Sequence, residues 1–240
     1  MKRPLITAHT GCMNTPPNSI ESILEGIKAG ADIIEVDVRA TKDGVAVLLH
    51  DEKIVTPKGV RRVGDLSFKE LHDLDRSSRI FRLEEALSIV KEHHRIINLD
   101  VKEDSAIDPM IETIEKHKMR DYVIISGCER ERANYLKNHY RLYQVLLNVG
   151  ISLYETYKED YESFIRKTCW EAIEASCCGI NINYQFCDES LVSYATIRCI
   201  PVWVWTIDEP DVMKKFLDMG VYSITTNEVK ILVELGNQAK

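Results

Sequence analysis

Short apolar runs rich in β-branched residues recur along the 240-residue chain, and stretches with an apolar residue every three or four positions separate most of them. The first such stretch predicts an amphipathic helix, because the apolar side chains of residues 20–27 fall on one face. Asn18 stands where a helix cap is expected, and Gly30 stands where the helix should stop. Strands that alternate with helices in this way predict a parallel sheet covered by helices.

Nine apolar runs predict strands, and the third run differs from the others. Only residues 41–44 separate it from the extended segment 33–40 that contains the second run, whereas a parallel crossover needs a dozen or more residues, so these two runs form an antiparallel hairpin. Eight parallel strands then remain, which predicts an α/β fold of the TIM (β/α)8 barrel type with a small hairpin or loop insertion after strand 2. The nine runs are 5–9, 33–38, 45–49, 95–101, 122–126, 142–147, 179–183, 201–207 and 222–225.

Later stretches with helical spacing lie between these runs. They are residues 83–93, 106–116, 129–138, 162–176, 189–197 and 210–219. No linker or low-complexity segment interrupts the alternation, so we expect one domain over residues 1–240. An open doubly wound sheet is the alternative fold, although the chain lacks the glycine-rich motifs of nucleotide-binding sheets.

Polar side chains mark the ends of several predicted strands, which is where a TIM barrel carries its active site. Glu35 and Asp37 lie two residues apart on the second strand, so both point to one face. A hairpin symmetric about residues 42–43 places His50 opposite Glu35. The side chains that we expect to converge at the mouth are His9, Glu35, Asp37, His50, Asp100 and Lys102.

The chemistry of this set points to a metal ion and an anionic substrate. The carboxylates of Glu35, Asp37 and Asp100 repel one another unless a cation lies among them, and hard oxygen ligands favour Mg²⁺ or Ca²⁺. Two histidines beside such an ion suit general acid and base catalysis, and Lys102 can hold an anionic oxygen. These groups together favour phosphoryl chemistry.

Overall charge and cysteine usage narrow the class of partner. Lys and Arg number 31 against 38 Asp and Glu, a net charge of −7 that lacks the basic footprint of a nucleic-acid-binding protein. The apolar run 200–205 is too short to cross a membrane, so we expect no stable membrane insertion.

Seven cysteines without a signal-peptide pattern or a C-x-x-C motif predict free thiols in a cytoplasmic protein. A small molecule is the expected partner, and the oligomeric state is left open.

Several short motifs follow one another in a fixed order. The most specific are His9-Thr10-Gly11, Pro17-Asn18-Ser19, the segments 30–38 and 41–44, and His50-Asp51. Weaker ones are the segment 83–87, Asp100-Val101-Lys102, and the segments 205–208 and 220–227. In order and spacing these motifs resemble those of the glycerophosphodiester phosphodiesterase family, and the similarity extends over nearly the whole chain.

That resemblance implies a TIM barrel that uses a divalent cation to hydrolyse phosphodiesters into glycerol 3-phosphate and an alcohol. It also implies a role for each residue at the predicted mouth. By resemblance the acid–base pair is His9 and His50, the metal ligands are Glu35, Asp37 and Asp100, and the substrate contacts are Lys102, Trp205 and Asn18.

The chain departs from the family pattern at several positions. Thr10 stands where the family has an arginine that binds phosphate, and Pro17 stands where the family has a glutamate before Asn18. Asp100 is shorter than the glutamate usual at its position. Because of these losses, the alternative function is that of a degenerate barrel that binds a phosphodiester or a phosphate without turnover. We predict that an arginine of the insertion replaces the missing family arginine, and the candidates are Arg61, Arg62, Arg76 and Arg79.

Overall fold

The fold is built from eleven strands and ten α-helices within residues 3–56, 59–74 and 80–238, which the computed structural model describes. The strands are β1 (Leu5–Ala8), β2 (Ile33–Ala40), β3 (Ala46–Leu48), β4 (Lys53–Thr56), β5 (Gly59–Arg62), β6 (Ile96–Val101), β7 (Val123–Cys128), β8 (Gln144–Asn148), β9 (Gly179–Asn183), β10 (Val202–Trp205) and β11 (Ser223–Thr226). The helices are α1 (Ile20–Ala29), α2 (Phe68–Leu74), α3 (Leu83–Glu92), α4 (Ile107–His117), α5 (Arg130–His139), α6 (Ile151–Tyr157), α7 (Tyr161–Glu174), α8 (Glu189–Thr196), α9 (Pro210–Met219) and α10 (Val229–Gln238).

Eight parallel strands close into a barrel. The hydrogen-bonded order runs β1, β11, β10, β9, β8, β7, β6, β2, and β1 also pairs with β2, which closes the ring. At the closing edges Thr7 of β1 lies beside Ile33 of β2 and Leu5 lies beside Ser223 of β11. The prediction of a TIM barrel is therefore confirmed, and the open doubly wound sheet is excluded.

All nine predicted strands are present, with bounds that differ by at most two residues. The insertion after strand 2 is also present, and it contains a second hairpin, β4–β5, that the sequence did not predict. Every residue of β5 is exposed, so this strand carries no alternation of buried and exposed positions. Helices α2, α6 and α10 were likewise not predicted.

The predicted register of the first hairpin is wrong by one residue. Val38 lies opposite Leu48 and Ala40 lies opposite Ala46, so Glu35 is not paired with His50. The reason is the turn, which has three residues rather than an even number and ends with Gly44 in the left-handed region at φ 74°. Since β3 ends at Leu48, His50 belongs to the loop that follows the strand.

An apolar layer inside the barrel determines how deep the polar site can lie. Ile33, Leu146 and Trp203 form a buried cluster with partly buried residues from three further strands. Because side chains of a strand alternate, the residues two positions further along point into the same interior. Those positions include Glu35 and Asn148, so polar side chains occupy the layer nearer to the C-terminal mouth.

Candidate active site

A cavity of about 570 Å³ opens at the C-terminal ends of the barrel strands. Seven of the eight predicted site residues line it, and Asn18 is the exception. The seven are His9, Glu35, Asp37, His50, Asp100, Lys102 and Trp205.

Three carboxylates meet on one wall of the cavity. One oxygen atom of each of Glu35, Asp37 and Asp100 lies within 4.8 Å of the others. Glu35 and Asp37 are buried, with 6% and 3% of their surface exposed. Adjacent strands explain this convergence, because β2 and β6 are paired in parallel and place Asp37 beside Asp100.

Lys102 compensates part of this negative charge. Its Nζ lies 2.7 Å from Oδ1 of Asp37 and also donates a hydrogen bond to Asp100. Burial lowers the pKa of Lys102, but the attraction of Asp100 and Asp37 outweighs that effect and holds the pKa above its usual value. The Ser126 hydroxyl donates to Oδ1 of Asp100 at 3.0 Å, so the second oxygen of that carboxylate is also held.

Glu35 is the carboxylate whose charge is least compensated. Burial raises its pKa well above the ordinary value, and the charges of Asp37 and Asp100 raise it further. One backbone donor, the N–H of Thr10, bonds to its Oε2 at 2.9 Å. A divalent cation fits this environment, because three oxygen ligands converge and the described side chains supply little positive charge to Glu35.

Metal binding is therefore expected to compete with protonation of Glu35. The folded pKa lies above the unfolded one, so the stability that the protonated group contributes is complete at low pH and is lost as pH rises through the folded pKa. A bound metal ion compensates the charge of deprotonated Glu35 and so recovers the lost stability. The rise in Tm caused by Mg²⁺, Ca²⁺ or Mn²⁺ should therefore grow between about pH 5 and about pH 8. Thermal unfolding with and without each ion measures this.

Two variants that each replace a glutamate with an uncharged glutamine serve as the test and its control. Glu35→Gln should remove most of the metal-induced rise in Tm at the higher pH, whereas Glu159→Gln, at an exposed position, should leave it unchanged. A rise that is equal at both ends of the pH range would contradict the competition.

Asn18 lies behind Asp37 rather than on the cavity surface. Its Nδ2 donates to Oδ2 of Asp37 at 2.8 Å, and its Oδ1 accepts from the Asp37 backbone N–H at 2.9 Å. The Thr10 hydroxyl donates to the same Oδ1 at 3.3 Å. Asn18 was also expected to cap α1, but that prediction is wrong by one residue, since Oγ of Ser19 accepts from the Ser22 N–H.

These bonds make Asn18 a support for the metal-binding carboxylate. Asn18→Ala is expected to weaken metal affinity by about 10- to 100-fold, because Asp37 loses the donor that orients it. Titration of Mn²⁺ against the metal-free protein measures the change. Asn138→Ala, on the exposed face of α5, is the control, and equal affinities in the two variants would disprove the supporting role.

The two histidines reach the cavity from different elements and have different partners. Nδ1 of His9 lies 3.1 Å from Oδ1 of Asn227, and its backbone N–H donates to the Thr226 carbonyl. Nδ1 of His50 lies 2.8 Å from Oδ1 of Asp51, and the His50 side chain is 67% exposed.

The loop that carries His50 is anchored from below by a buried arginine. Nε of Arg39 donates to the His50 carbonyl at 2.9 Å, and Nη1 of Arg39 lies 3.1 Å from Oε2 of Glu103. Arg39 is itself buried, at 8% exposure. The exposed His50 ring is therefore attached to a backbone that a partly buried ion pair holds in place.

No arginine lines the cavity within the described ranges. Arg61 and Arg62, two of the predicted replacements for the missing family arginine, lie on β5, and Arg62 pairs with Glu52 instead. Arg76 and Arg79 lie outside the described residues. Lys102 and the two histidines are thus the basic groups that the described lining offers to an anion.

Sequence reasoning did not place several neutral polar residues that line the same cavity. Asn98, Ser126, Asn148 and Asn181 all line the cavity. Their signal was available, since Asn98 and Asn148 each stand two positions after an apolar residue of the interior layer. Oδ1 of Asn98 and Nε1 of Trp205 are buried and have no hydrogen-bond partner in the described structure.

Comparison with known proteins finds one family over nearly the whole chain. The model of the glycerophosphoryl diester phosphodiesterase family matches residues 9–231. "Probable glycerophosphodiester phosphodiesterase 2" of Mycobacterium tuberculosis is 30% identical over 236 residues, covering 94% of this chain and 88% of its own. A glycerophosphodiester phosphodiesterase of Caldanaerobacter subterraneus is 26% identical, covering 97% of this chain and 98% of its own.

A solved structure shares the fold. A phosphodiesterase of Oleispira antarctica, in complex with the product sn-glycerol-3-phosphate, superposes with a TM-score of 0.81. The two chains are 20% identical, and the match covers 98% of this chain and 97% of the other. At this identity the likeness shows that the folds agree.

Proposed function

We propose a mechanism for this chain from the premise that it belongs to the glycerophosphoryl diester phosphodiesterase family. It is accordingly a phosphoric diester hydrolase. The substrate that we propose is a glycerophosphodiester, cleaved to glycerol 3-phosphate and an alcohol, the former being the product bound by the Oleispira antarctica enzyme. One observation carries this proposal, namely a single cavity that brings together three carboxylates, a lysine and two histidines.

Glu35, Asp37 and Asp100 would hold a divalent cation, either Mg²⁺ or Ca²⁺. When bound, the ion would neutralise charge on the phosphoryl oxygens. Lys102 would then contact a phosphate oxygen, since its ammonium group lies at the edge of the same carboxylates and is partly exposed to the cavity.

The two histidines would move the protons of the reaction. The ring of His9 bonds to a neutral amide oxygen. His9 would take the proton of the attacking hydroxyl, either that of water or that of a neighbouring group of the substrate, as the new P–O bond forms. His50, beside the carboxylate of Asp51 at the exposed mouth, would give a proton to the alcohol oxygen as the old P–O bond breaks. Trp205 lines the cavity, so its ring would contact the substrate.

The proposed partner is a small molecule, and the excess of acidic residues gives no support for nucleic-acid binding. Within the part of the chain that the structure describes, no helix is long and apolar enough to cross a bilayer. A cytoplasmic location is part of this proposal, on the basis of the cysteine usage.

Hydrolysis of a diester panel tests the function. The panel holds glycerophosphocholine, glycerophosphoethanolamine, glycerophosphoinositol, glycerophosphoglycerol and a chromogenic aryl diester, each assayed with Mg²⁺, Ca²⁺, Mn²⁺ or EDTA. Metal-dependent release of glycerol 3-phosphate is expected, and the panel then ranks the alcohols. The opposite result is a protein that is folded and binds metal and still cleaves none of these diesters. That result would favour the alternative that Thr10 suggests, a barrel that binds a phosphodiester or a phosphate without turnover.

A further inference from the structure

Asp208, in the loop after β10, is surrounded by donors although it lies outside the cavity lining. Its Oδ1 accepts from the Asn227 backbone N–H at 2.8 Å and from the Thr226 hydroxyl at 3.2 Å. Its Oδ2 accepts from Nδ2 of Asn227 at 2.9 Å. The carboxylate therefore bonds to both the backbone and the side chain of the residue that contacts His9.

These bonds fix the orientation of the Asn227 amide. An ionised carboxylate accepts hydrogen bonds and cannot donate one, so the NH₂ end of Asn227 must face Asp208. The carbonyl end must then face the other way, where Oδ1 lies 3.1 Å from Nδ1 of His9. Because an amide oxygen only accepts, this contact is a hydrogen bond only when Nδ1 of His9 carries the proton.

We propose that Asp208 is a positioning residue that acts through Asn227 to hold the proton of His9 on Nδ1. The neutral ring then keeps an unprotonated Nε2, which is the state that a proton acceptor needs. This inference rests on the proposed function, in which His9 takes the proton of the attacking hydroxyl. The same segment also holds the His9 backbone, since the Thr226 carbonyl accepts from the His9 N–H at 3.0 Å.

Asp208→Asn is the first test. The new amide can donate to Oδ1 of Asn227, so the Asn227 amide can turn round and present its NH₂ to His9. Nδ1 of His9 would then have to accept, and the proton would move to Nε2. We expect kcat to fall by about 10- to 100-fold, the size of a modest loss of general base catalysis, with KM changed by less than about twofold.

Exchanging the two residues tests the direction of the hydrogen bonds. Asn227→Asp alone brings two carboxylates together and should also lower kcat. In the double variant Asp208→Asn/Asn227→Asp, the amide at 208 donates to the carboxylate at 227, which accepts the Nδ1–H of His9. The double variant is expected to recover kcat to within about fivefold of the wild type, a non-additive rescue that two independent structural defects would not give.

The tautomer of His9 provides a readout that does not depend on activity. In protein labelled with ¹⁵N-histidine, long-range ¹H–¹⁵N correlation spectra distinguish Nδ1–H from Nε2–H, and His9→Asn identifies the signal. We expect Nδ1–H in the wild type and in the double variant, and Nε2–H in Asp208→Asn. Asp211→Asn, at an exposed position of α9, should change neither the spectrum nor kcat.

Two results would overturn the proposal. One is an Asp208→Asn variant that keeps both the wild-type tautomer and the wild-type kcat. The other is a loss of kcat with the tautomer unchanged and no recovery in the double variant, which would make Asp208 a structural residue. Absence of turnover by the wild-type protein would refute the proposed function instead, and the tautomers would still decide whether Asp208 orients His9.

Discussion

Replacing His9 with asparagine is expected to lower kcat by about 10²- to 10⁴-fold, the usual contribution of a general acid or base. Asparagine places its amide nitrogen near the position of Nδ1, so the bond to Oδ1 of Asn227 can persist. It has no atom in place of Nε2, so the loss isolates proton transfer. Initial rates on the preferred diester, together with Tm and metal affinity, measure the effect.

The control is His139→Asn on the exposed end of α5, which should leave kcat unchanged. Near-normal turnover by the His9 variant, in protein that folds and binds metal, would remove His9 from the mechanism. A fall in Tm that accounts for the lost activity would show that the histidine is structural.

His50→Asn separates the acid from the base. An aryl oxide leaves without protonation, whereas an alkoxide needs a proton, so this variant should lose much more activity on a glycerophosphodiester than on the aryl diester. His9→Asn should lose activity on both substrates, because the attacking oxygen has to lose its proton in either case. The opposite pattern would exchange the roles of His9 and His50.

The barrel could be predicted because its signal is local and repeated. Each strand combines β-branched residues with a turn or helix signal at either end, and the bounds came within two residues for all nine runs. The convergence of Glu35 and Asp37 followed from the two-residue period of a strand, and Asp100 lies on the strand paired with them. These inferences need no knowledge of distant contacts.

Features that depend on exact turn geometry or on distant contacts could not be predicted in the same way. The hairpin register failed because the left-handed Gly44 adds an odd residue to the turn. Asn18 was placed as a cap and a substrate contact, since nothing local indicates that its amide bonds to Asp37. The partner of His9 is Asn227, which is 218 residues away along the chain.

The departure at Thr10 shows the same limit. Read alone, it is the loss of a phosphate contact, whereas in the structure Thr10 donates its backbone N–H to Glu35 and its hydroxyl to Asn18. Thr10 is buried at 6% exposure, so it supports Glu35 directly and Asp37 through Asn18. Lys102 is then the lysine left to hold the phosphate, and the carboxylates around it decide whether it is free to do so.

Removing the charge of Asp37 is expected to have the largest effect on metal affinity of any substitution in the site. Asp37→Asn removes the negative charge that the proposed ion and Lys102 share, and its NH₂ group must face the donor of either Lys102 or Asn18. Breaking a buried charge pair in this way typically costs about 3–5 kcal/mol of folding stability. A loss of the same size in the binding free energy of the ion corresponds to roughly 10²- to 4 × 10³-fold in metal affinity. Turnover with EDTA should be abolished in the wild type, and the variant should approach that level at ordinary metal concentrations.

A metal titration of activity distinguishes a lost ligand from a lost catalyst. If Asp37 binds the ion, Asp37→Asn should need far more Mg²⁺ or Mn²⁺ for half-maximal activity, and part of the rate should return at saturation. Asp211→Asn should follow the wild-type curve. Because Lys102 donates to Asp37 and Asp100, Lys102→Met removes a cation that competes with the ion for these carboxylates, so it should raise KM without raising the metal concentration needed for half-maximal activity. Wild-type activity that EDTA leaves intact would exclude a role for the ion, and the three carboxylates would then serve Lys102 alone.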